Sequence, residues 1–241
     1  MISIILPYYN SLIQMRERTI DYFDMLNSYI NYNRNIQLII SDYGSNDGIY
    51  SFIKQYSHFD YIYTEPNEGQ YFNISKCNNN AFRLIRNDLV FTNGIDWRYD
   101  YNLLQTIVKM FAIHGDIILE PSIVILKEDG GFEKFIHTSV LFRKHIIKAG
   151  GWDERIFNWG QEDRDLISSI FFNNPISKIT ITNKLNTIFH VWHKNILYDK
   201  GGGKERNILN GKIAHENLTN NRVNIINSYW YNKEGVLERK M

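Results

Sequence analysis

The chain has 241 residues, 44% of them hydrophobic and 15% aromatic, and its formal net charge is +1. This composition provides enough apolar side chains for one large core, which excludes a chain that is disordered throughout. The near-zero charge provides no basic surface for nucleic acid or for an anionic membrane, so neither partner is expected.

Targeting and redox features are few. The single cysteine, Cys77, excludes an internal disulfide and favours a reducing compartment. The N-terminal segment MISIIL has six residues before Pro7 and no basic region, so it is too short for a secretory signal or a membrane span. We therefore expect a buried first strand, no transmembrane segment and a cytoplasmic location.

Apolar runs of strand length recur along the chain and alternate with stretches of helical spacing. The predicted strands span 2–6, 37–41, 61–64, 88–92 and 116–120, and the predicted helices span 16–31 and 75–86. This alternation is typical of parallel strands joined by βαβ crossovers. In such open sheets, ligands bind at the carboxyl ends of the strands.

The second half of the chain is more mixed. Residues 121–150 predict a hairpin or a mixed strand, 163–173 a helix, and 178–182 and 187–193 two late strands. The sequence therefore predicts an α/β fold with a mixed, mostly parallel central sheet flanked by helices. The last forty residues, from the three glycines onward, are polar and predict a flexible loop followed by a C-terminal helix or tail.

Two motifs follow the first two predicted strands. In LPYYN the strand is expected to stop at Pro7, so that Tyr8 or Tyr9 can stack on a base; the alternative is an ordinary strand-to-helix turn. In SDYGSNDG, Asp42 stands where the strand ends, and its carboxylate can accept the N–H of a uracil. Asp47 is expected to be structural, as an N-cap.

Three further motifs carry candidate phosphate and metal ligands. Lys76 lies in the first turn of a predicted helix, where it can meet a phosphate; the alternative is a solvated lysine. Asp96 follows a strand in LVFTNGIDW and can hold a divalent cation, or it is a surface turn residue. His190 and His193 in HVWH suit Mn²⁺ more than Mg²⁺, although one of them is expected to be structural.

The densest motif is GGWDERIFNWGQEDRD, at residues 150–165. One interpretation is structural, because two glycines start a turn and Asp163 or Asp165 stabilises the beginning of a helix. The other interpretation is functional, with Trp159 as a platform for a sugar ring and a general base beside it.

Taken in order, these motifs resemble those of GT-A fold glycosyltransferases of the family 2 type. The branch they resemble shares a C-terminal motif with β-1,4-galactosyltransferases and bacterial chondroitin polymerases. LPYYN is similar to P-x-Y-N, DYGSNDG to D-D-G-S-x-D-G, and FNISKCNNNA to F-N-x-x-K-x-x-N-x-G. The longest match is the segment 150–165, which resembles G-G-F-D-E-x-F-x-x-W-G-x-E-D-x-D, and HVWH resembles the strand that completes the metal site.

The resemblance covers residues 1–195 and implies one Rossmann-like GT-A domain over that range. Its nucleotide-binding half would span 1–100 and its acceptor-binding half 101–195, followed by a flexible loop and C-terminal extension at 196–241. The implied activity is inverting and metal-assisted, and it moves a hexose or N-acetylhexosamine from a UDP-sugar to a glycan or other hydroxyl acceptor.

The resemblance also implies a role for each candidate residue. Asp163 is the implied general base, with Glu162 beside it, and Trp159 and Gly160 would bind the acceptor sugar. Mn²⁺ or Mg²⁺ would be held by the metal ligands, which are Asp96, His190 and His193. The donor nucleotide would contact a larger set, namely Pro7, Tyr8, Tyr9, Asn10, Asp42, Lys76 and Asn79.

The chain departs from the family pattern at the D-x-D metal motif. The corresponding segment is NGID, with Asn93 near the position of the first acid and Asp96 at or one residue beyond the last. Either Asp96 carries the metal with a histidine, or metal binding is weak. A second hypothesis is therefore a catalytically degenerate GT-A protein that binds UDP or a sugar. A nucleotidyltransferase-like enzyme is disfavoured, because no glycine-rich loop follows the first strand.

Overall fold

The computed structural model describes residues 1–126, 132–135, 138–158, 160–173, 176–181, 186–191, 203–219, 229–231 and 237–239. Its centre is a seven-stranded sheet. In spatial order the strands are β10 (Ser177–Ile181), β6 (Ile117–Pro121), β9 (Val140–Phe142), β4 (Leu89–Thr92), β1 (Ile2–Tyr8), β2 (Ile36–Asp42) and β3 (Phe59–Tyr63). All neighbours are parallel except β9, which is antiparallel to β4 and β6.

Helices and two smaller sheets complete the described part of the chain. The helices are α1 (Ser11–Gln14), α2 (Arg16–Tyr32), α3 (Ile49–Ile53), α4 (Ile74–Phe82), α5 (Tyr101–His114), α6 (Arg143–Ala149), α7 (Glu162–Asn173) and α8 (Gly203–Thr219). A second sheet has the order β5 (Trp97–Arg98), β11 (Ile188–Val191), β7 (Ile123–Leu126) and β8 (Phe132–Phe135). The last pair is β12 (Tyr229–Tyr231) with β13 (Leu237–Arg239).

The central sheet is covered by helices on both faces, because its strands are apolar on both. Successive side chains of a strand point to opposite faces. Ile4 therefore packs in one core cluster with residues of α2 and α5, whereas Ile5 packs in the other with residues of α4 and α7. The predicted α/β fold with a mostly parallel central sheet is confirmed. Among the described helices, none is long and apolar enough to cross a membrane.

Strand β1 does not stop at Pro7 but continues to Tyr8. The Ile5 carbonyl accepts the Asn93 amide, beyond the last residue of β4, whereas the Tyr8 carbonyl accepts the Tyr43 amide on the β2 side. The backbone of Pro7 faces β4, as that of Ile5 does, but the pairing of β1 with β4 ends at Ile5. Its missing N–H therefore costs no ladder hydrogen bond.

The helices α5 and α6 were not expected from the sequence. α6 lies inside the segment 121–150, which was expected to form a hairpin or a mixed strand. That segment contains the antiparallel pair β7–β8 and the strand β9, which pairs with β4 and β6 in the central sheet. α5 follows β5 and begins at an Asp100 cap, whose carboxylate accepts the Asn102 amide at 2.8 Å.

The segment expected as a C-terminal extension contains α8, which packs against α7. A helix in this segment agrees with the prediction. The expected flexible loop that precedes it falls at 196–202, all of which lies outside the described residues.

Candidate functional site

Tyr8 and Tyr9 end strand β1 and lie in different surroundings. Tyr8 is 1% exposed and packs against Phe23, and its hydroxyl donates to Asp47 Oδ2 at 2.7 Å. Burial and the Asp47 carboxylate raise the pKa of Tyr8. This places Tyr8 in the core and corrects its expected role as a donor contact, because no base can reach a ring that is already enclosed.

Tyr9 is half-buried and belongs to an aromatic cluster at the same edge of the sheet. Its ring lies edge-on to Tyr71, with centroids 5.2 Å apart, and nearly parallel to Phe72 at 5.9 Å. Tyr43 contributes a third ring at 6.3 Å, and its hydroxyl accepts the Asn67 amide. Tyr9 is therefore the tyrosine of LPYYN that keeps an accessible surface beside the crevice.

Asn10 joins the loops that follow β1 and β2. It adopts a left-handed conformation with φ 49°. Its backbone amide donates to Ser45 Oγ, and its side-chain Oδ1 accepts the Asn46 backbone amide, both at 2.9 Å. Gly44 lies in the second loop with φ +62°, and a Cβ atom there would lie 2.4 Å from the Pro66 ring. The carboxamide of Asn10 thus holds the loops together, which differs from the direct donor contact that was expected.

Asp42 ends strand β2 and is only 2% exposed. Its Oδ1 accepts the Ser45 amide at 2.9 Å, and its Oδ2 accepts the Tyr61 hydroxyl at 2.7 Å. Burial, followed by this bond to Asp42, raises the pKa of Tyr61. Asp42 therefore shapes the loop, and its expected contact with the donor base stays a prediction.

α4 carries two of the expected donor contacts. Lys76 is not a solvated lysine, because its Nζ donates to the Glu65 carbonyl at 2.8 Å and to Asn67 Oδ1 at 2.6 Å. Asn79 is 4% exposed, and its carboxamide donates to the Trp152 carbonyl and accepts the Trp152 amide, both at 2.9 Å. Asn79 also donates to Glu154 Oε1 at 3.0 Å. Its expected contact with the donor is corrected, because its polar atoms bind segment 152–154.

Asp96 and His190 meet although they are distant in sequence. β5 pairs antiparallel with β11, with Trp97 opposite His190, and this brings His190 Nε2 to 2.8 Å from Asp96 Oδ2. A Cβ atom at Gly94 would lie 2.7 Å from Asp96 Oδ1, so glycine leaves room for the carboxylate to fold back. His193 lies outside the described residues.

Asn93, which lies near the expected position of the missing first acid, is held by two hydrogen bonds. Its Nδ2 donates to the Tyr99 hydroxyl at 2.7 Å and its Oδ1 accepts the Gly94 amide at 3.0 Å, so it holds the turn. In the part of the chain that the structure describes, no group of three His, Cys, Asp or Glu side chains is placed to hold a metal ion. The carboxylate of Asp96 and the imidazole of His190 fit Mn²⁺ chemically, and further ligands would come from outside this pair.

Glu162 and Asp163 are the first two residues of α7. Burial raises the pKa of both carboxyls, and the neighbouring Glu162 charge raises that of Asp163 further. Asp163 lines a cavity of about 10 Å³ together with Thr92, Ser139 and Trp152. Because Thr92 ends β4, Asp163 lies at the carboxyl edge of the sheet, where the turn to Asp96 begins.

Asp165 has a different role from Asp163. It is 1% exposed, and its Oδ1 accepts the Asn217 side-chain amide at 2.8 Å. Arg164, between the two acids, is exposed. The two acids therefore lie in separate surroundings, with Asp163 at the cavity and Asp165 in contact with α8.

The loop before α7 contains the expected acceptor residues. Trp159 lies outside the described residues. Gly160 has φ +81°, and a Cβ atom there would lie 3.0 Å from Asn207 Oδ1. Asn158, with φ 68°, ties the loop to the aromatic cluster, because its Oδ1 accepts the amides of Tyr71 and Phe72 at 3.1 Å.

Sequence reasoning missed Asn158, Asn210 and Asn217. Asn158 falls at a variable position of the resembled motif, and α8 lies beyond the resemblance, so no motif pointed to them. A second asparagine-rich stretch at 207–217 is the signal that the sequence offers, since buried asparagines form polar networks.

Comparisons with known proteins bear on the fold of the chain. No family model matches the chain. A 90-residue stretch, 36% of the chain, is 31% identical to human chondroitin sulfate N-acetylgalactosaminyltransferase 1 and covers 16% of it. The chain therefore spans less than a fifth of that relative.

Solved structures match a larger part of the chain. Staphylococcus aureus TarS 1–349 is 13% identical with a TM-score of 0.64, covering 79% of this chain and 60% of that chain. Its complex with UDP-GlcNAc is 13% identical with a TM-score of 0.62, covering 80% and 59%. The mannosyltransferase PcManGT from Pyrobaculum calidifontis, in complex with GDP-Man and Mn²⁺, is 14% identical with a TM-score of 0.60, covering 83% and 59%.

These likenesses establish the fold. The chain has the GT-A glycosyltransferase fold, as the motif order had indicated. It spans about three-fifths of each of these solved chains.

Proposed function

We propose that this chain is a glycosyltransferase that transfers a sugar from a nucleotide-sugar donor to a hydroxyl acceptor, with Asp163 as the general base. The observation that carries the proposal is the position of Asp163 and Glu162. Both are carboxyls with raised pKa values in the first turn of α7, and Asp163 lies at the carboxyl edge of the sheet, beside Thr92 at the end of β4. Carboxyls with perturbed pKa values in such a crevice are typical of catalytic sites.

The donor nucleotide would lie across the ends of β1 and β2. Tyr9 would stack on the base, with the other rings of the cluster supporting it. Asp42 would accept an N–H of the base. Lys76, at the first turn of α4, would approach the diphosphate with the helix amides. The UDP-GlcNAc bound to TarS supports a UDP-sugar, with a hexose or N-acetylhexosamine as the transferred group.

Asp96 and His190 would hold a divalent cation, with His193 as a further candidate. The GDP-Man and Mn²⁺ bound to the mannosyltransferase support Mn²⁺, or Mg²⁺, as the ion. When bound, such an ion offsets the negative charge of the diphosphate leaving group. The contribution of this chain is a carboxylate and an imidazole held 2.8 Å apart by the β5–β11 pair.

The reaction would proceed by direct displacement. The acceptor hydroxyl oxygen forms a bond to the anomeric carbon while the bond from that carbon to the diphosphate oxygen breaks. The hydroxyl proton passes to Asp163, and the electron pair leaves with the nucleoside diphosphate. Attack from the opposite face inverts the anomeric centre. The glycan or other acceptor would lie against the 159–161 loop, on Trp159 and Gly160.

A second candidate function is a GT-A protein that binds UDP or a sugar without turnover. One observation favours it: the residue near the first acid of the metal motif is Asn93, an uncharged amide whose Oδ1 accepts the Gly94 amide at 3.0 Å. Among the described residues, Asp96 then supplies the carboxylate of the candidate metal site.

Release of nucleoside diphosphate from a panel of UDP- and GDP-sugars tests the two functions, with Mn²⁺, with Mg²⁺ and with a chelator. Slow hydrolysis of the donor needs no known acceptor. Release from one donor that is lost on chelation supports the metal-assisted transferase and names its sugar. UDP binding without release, with acceptor glycans also present, supports the binding protein.

A further inference from the structure

One face of α8 lies against the loop that precedes α7, the helix whose first turn carries the proposed base. The Arg206 guanidinium lies 3.3 Å from the Phe157 ring centroid, and its Nη2 donates to the Arg155 carbonyl at 2.6 Å. Asn210 donates to the carbonyls of Phe157 at 2.9 Å and Gly160 at 3.1 Å. Residues spaced four and eleven apart share a helix face, so Arg206, Asn210 and Asn217 form one contact surface.

Asn217 is the junction of a buried polar network. Its Nδ2 donates to Asp165 Oδ1 at 2.8 Å and to Asp153 Oδ2 at 2.9 Å, and its Oδ1 accepts from Arg155 at 2.7 Å. Asp153 is 0% exposed and Asp165 is 1% exposed. Asp153 is also paired with Arg155, whose Nη2 lies 2.6 Å from Asp153 Oδ2. Because one side-chain amide can donate to two carboxylates, Asn217 links this ion pair to Asp165.

This network sets the first turn of α7. Asp165 lies two residues after Asp163, and both belong to that turn. A shift of Asp165 away from α8 would rotate the turn and move the Asp163 carboxyl from the edge of β4. Such a displacement matters, because a misplacement of a catalytic group by about 1 Å can cost on the order of 100-fold in rate.

We propose that α8 is a part of the catalytic site and that Asn217 is a positioning residue for Asp163. The inference rests on the proposed function, since it assigns a task to the same loop. Asn217 does not touch the reacting atoms. It acts through Asp165, and Asn210 acts in the same way through the carbonyls of Phe157 and Gly160.

The variant Asn217→Asp tests the proposal, because it keeps the shape of the side chain and replaces the donor with a third carboxylate. The matched control is Asn87→Asp. Asn87 is 9% exposed and donates to the Asn35 carbonyl, just before β4 begins, at the opposite end of the sheet from Asp163. The measurements are kcat and KM for donor hydrolysis across pH, UDP affinity, and hydrogen exchange of amides 157–165.

At mildly alkaline pH we expect Asn217→Asp to lose on the order of 100-fold in kcat while UDP affinity is kept. The ratio of variant to wild-type kcat should rise as pH falls, because the protonated carboxyl donates a hydrogen bond again. Exchange of amides 157–165 should be faster. Asn87→Asp should change none of these. If Asn217→Asp does not fold, Asn210→Ala, which removes two donated bonds without adding charge, should speed exchange and lower kcat.

Three results would overturn the proposal: wild-type kcat in Asn217→Asp, unchanged exchange at 157–165, or the same loss in Asn87→Asp. Failure of the proposed function gives a different result from failure of the proposal about α8. If the wild-type protein releases nucleoside diphosphate from none of the donors, the proposed transferase activity is wrong. The exchange measurement still decides in that case whether α8 holds the loop.

Discussion

Replacing Asp163 with asparagine separates its proposed catalytic role from its effect on stability. The folded state raises the pKa of this carboxyl above its ordinary value of 3.8, through burial and the Glu162 charge. The folded protein therefore binds the proton more tightly than the unfolded chain does. The favourable contribution of the protonated group is complete below pH 3.8 and is lost as pH rises through the folded-state pKa.

The magnitude follows from this linkage. A pKa raised by one pH unit costs about 1.4 kcal/mol of stability once the carboxyl is ionised. In a domain of this size, each kcal/mol corresponds to roughly 2–4 °C in Tm. The amide of Asp163→Asn carries no charge at any pH. At alkaline pH the variant should therefore melt higher than the wild type, by about 3–6 °C for each pH unit by which folding raises the pKa. The gain should vanish near pH 3.8.

The transfer rate of Asp163→Asn should fall, although its stability at alkaline pH should rise. Loss of a general base typically costs about 10²–10⁴-fold in rate, while UDP binding should persist because Asp163 lies away from the nucleotide contacts. In the wild type, the rate should rise with pH as Asp163 ionises, with an inflection above 3.8.

The assay combines melting curves at several pH values, UDP titration and donor hydrolysis, with Asp88→Asn as the control on an exposed acid. Normal transfer by Asp163→Asn would remove it as the base. A variant that melts below the wild type at alkaline pH would refute the argument from burial.

Three other predictions follow from the site and the fold. Asp96→Ala should abolish the effect of Mn²⁺ on UDP affinity measured by titration calorimetry, and equal metal dependence in both proteins would remove Asp96 from the metal site. Tyr9→Ala should weaken UDP binding by about 1–3 kcal/mol through lost stacking, whereas Tyr9→Phe should bind normally; unchanged binding by the alanine variant would contradict base stacking. Gly44→Ala should lower the free energy of unfolding in urea by about 1–3 kcal/mol, because its backbone is left-handed and its Cβ would lie 2.4 Å from Pro66. Gly211→Ala, in open space, is the control for that variant, and equal stability of the two would contradict the steric argument.

The central sheet could be predicted from the sequence, because each of its strands can be recognised from neighbouring residues alone. Buried parallel strands are short apolar runs, and the predicted segments 2–6, 37–41 and 88–92 lie within or beside the observed β1, β2 and β4. The helix predicted at 163–173 begins one residue earlier, at Glu162. α6 was missed, because its seven residues are too few to show helical periodicity.

The candidate site was only partly accessible. The motif at 150–165 pointed to Asp163, and the pairing of β5 with β11 brings Asp96 to His190. Tyr8 and Tyr9 were left as alternatives, since the choice depends on where β1 ends. That end is set by β2, which pairs with β1 as far as Tyr8 and Asp42, 34 residues apart in sequence. Likewise, nothing near Asn79 in the sequence indicates that its partners are Trp152 and Glu154.

The sequence by itself determined the alternation of strands and helices and the acids at the start of α7, and it predicted the carboxyl edge of the sheet as the place of the site. These features depend on side-chain periodicity and on residue types within a few positions of one another. Only the tertiary structure decided which tyrosine is accessible, that Asn79 binds segment 152–154, and that α8 holds Asp165 through Asn217. Tyr8 meets Asp47 39 positions away, and the contacts of Asn79 and Asn217 join residues more than fifty positions apart. Their geometry is set by packing of the whole core rather than by local pattern.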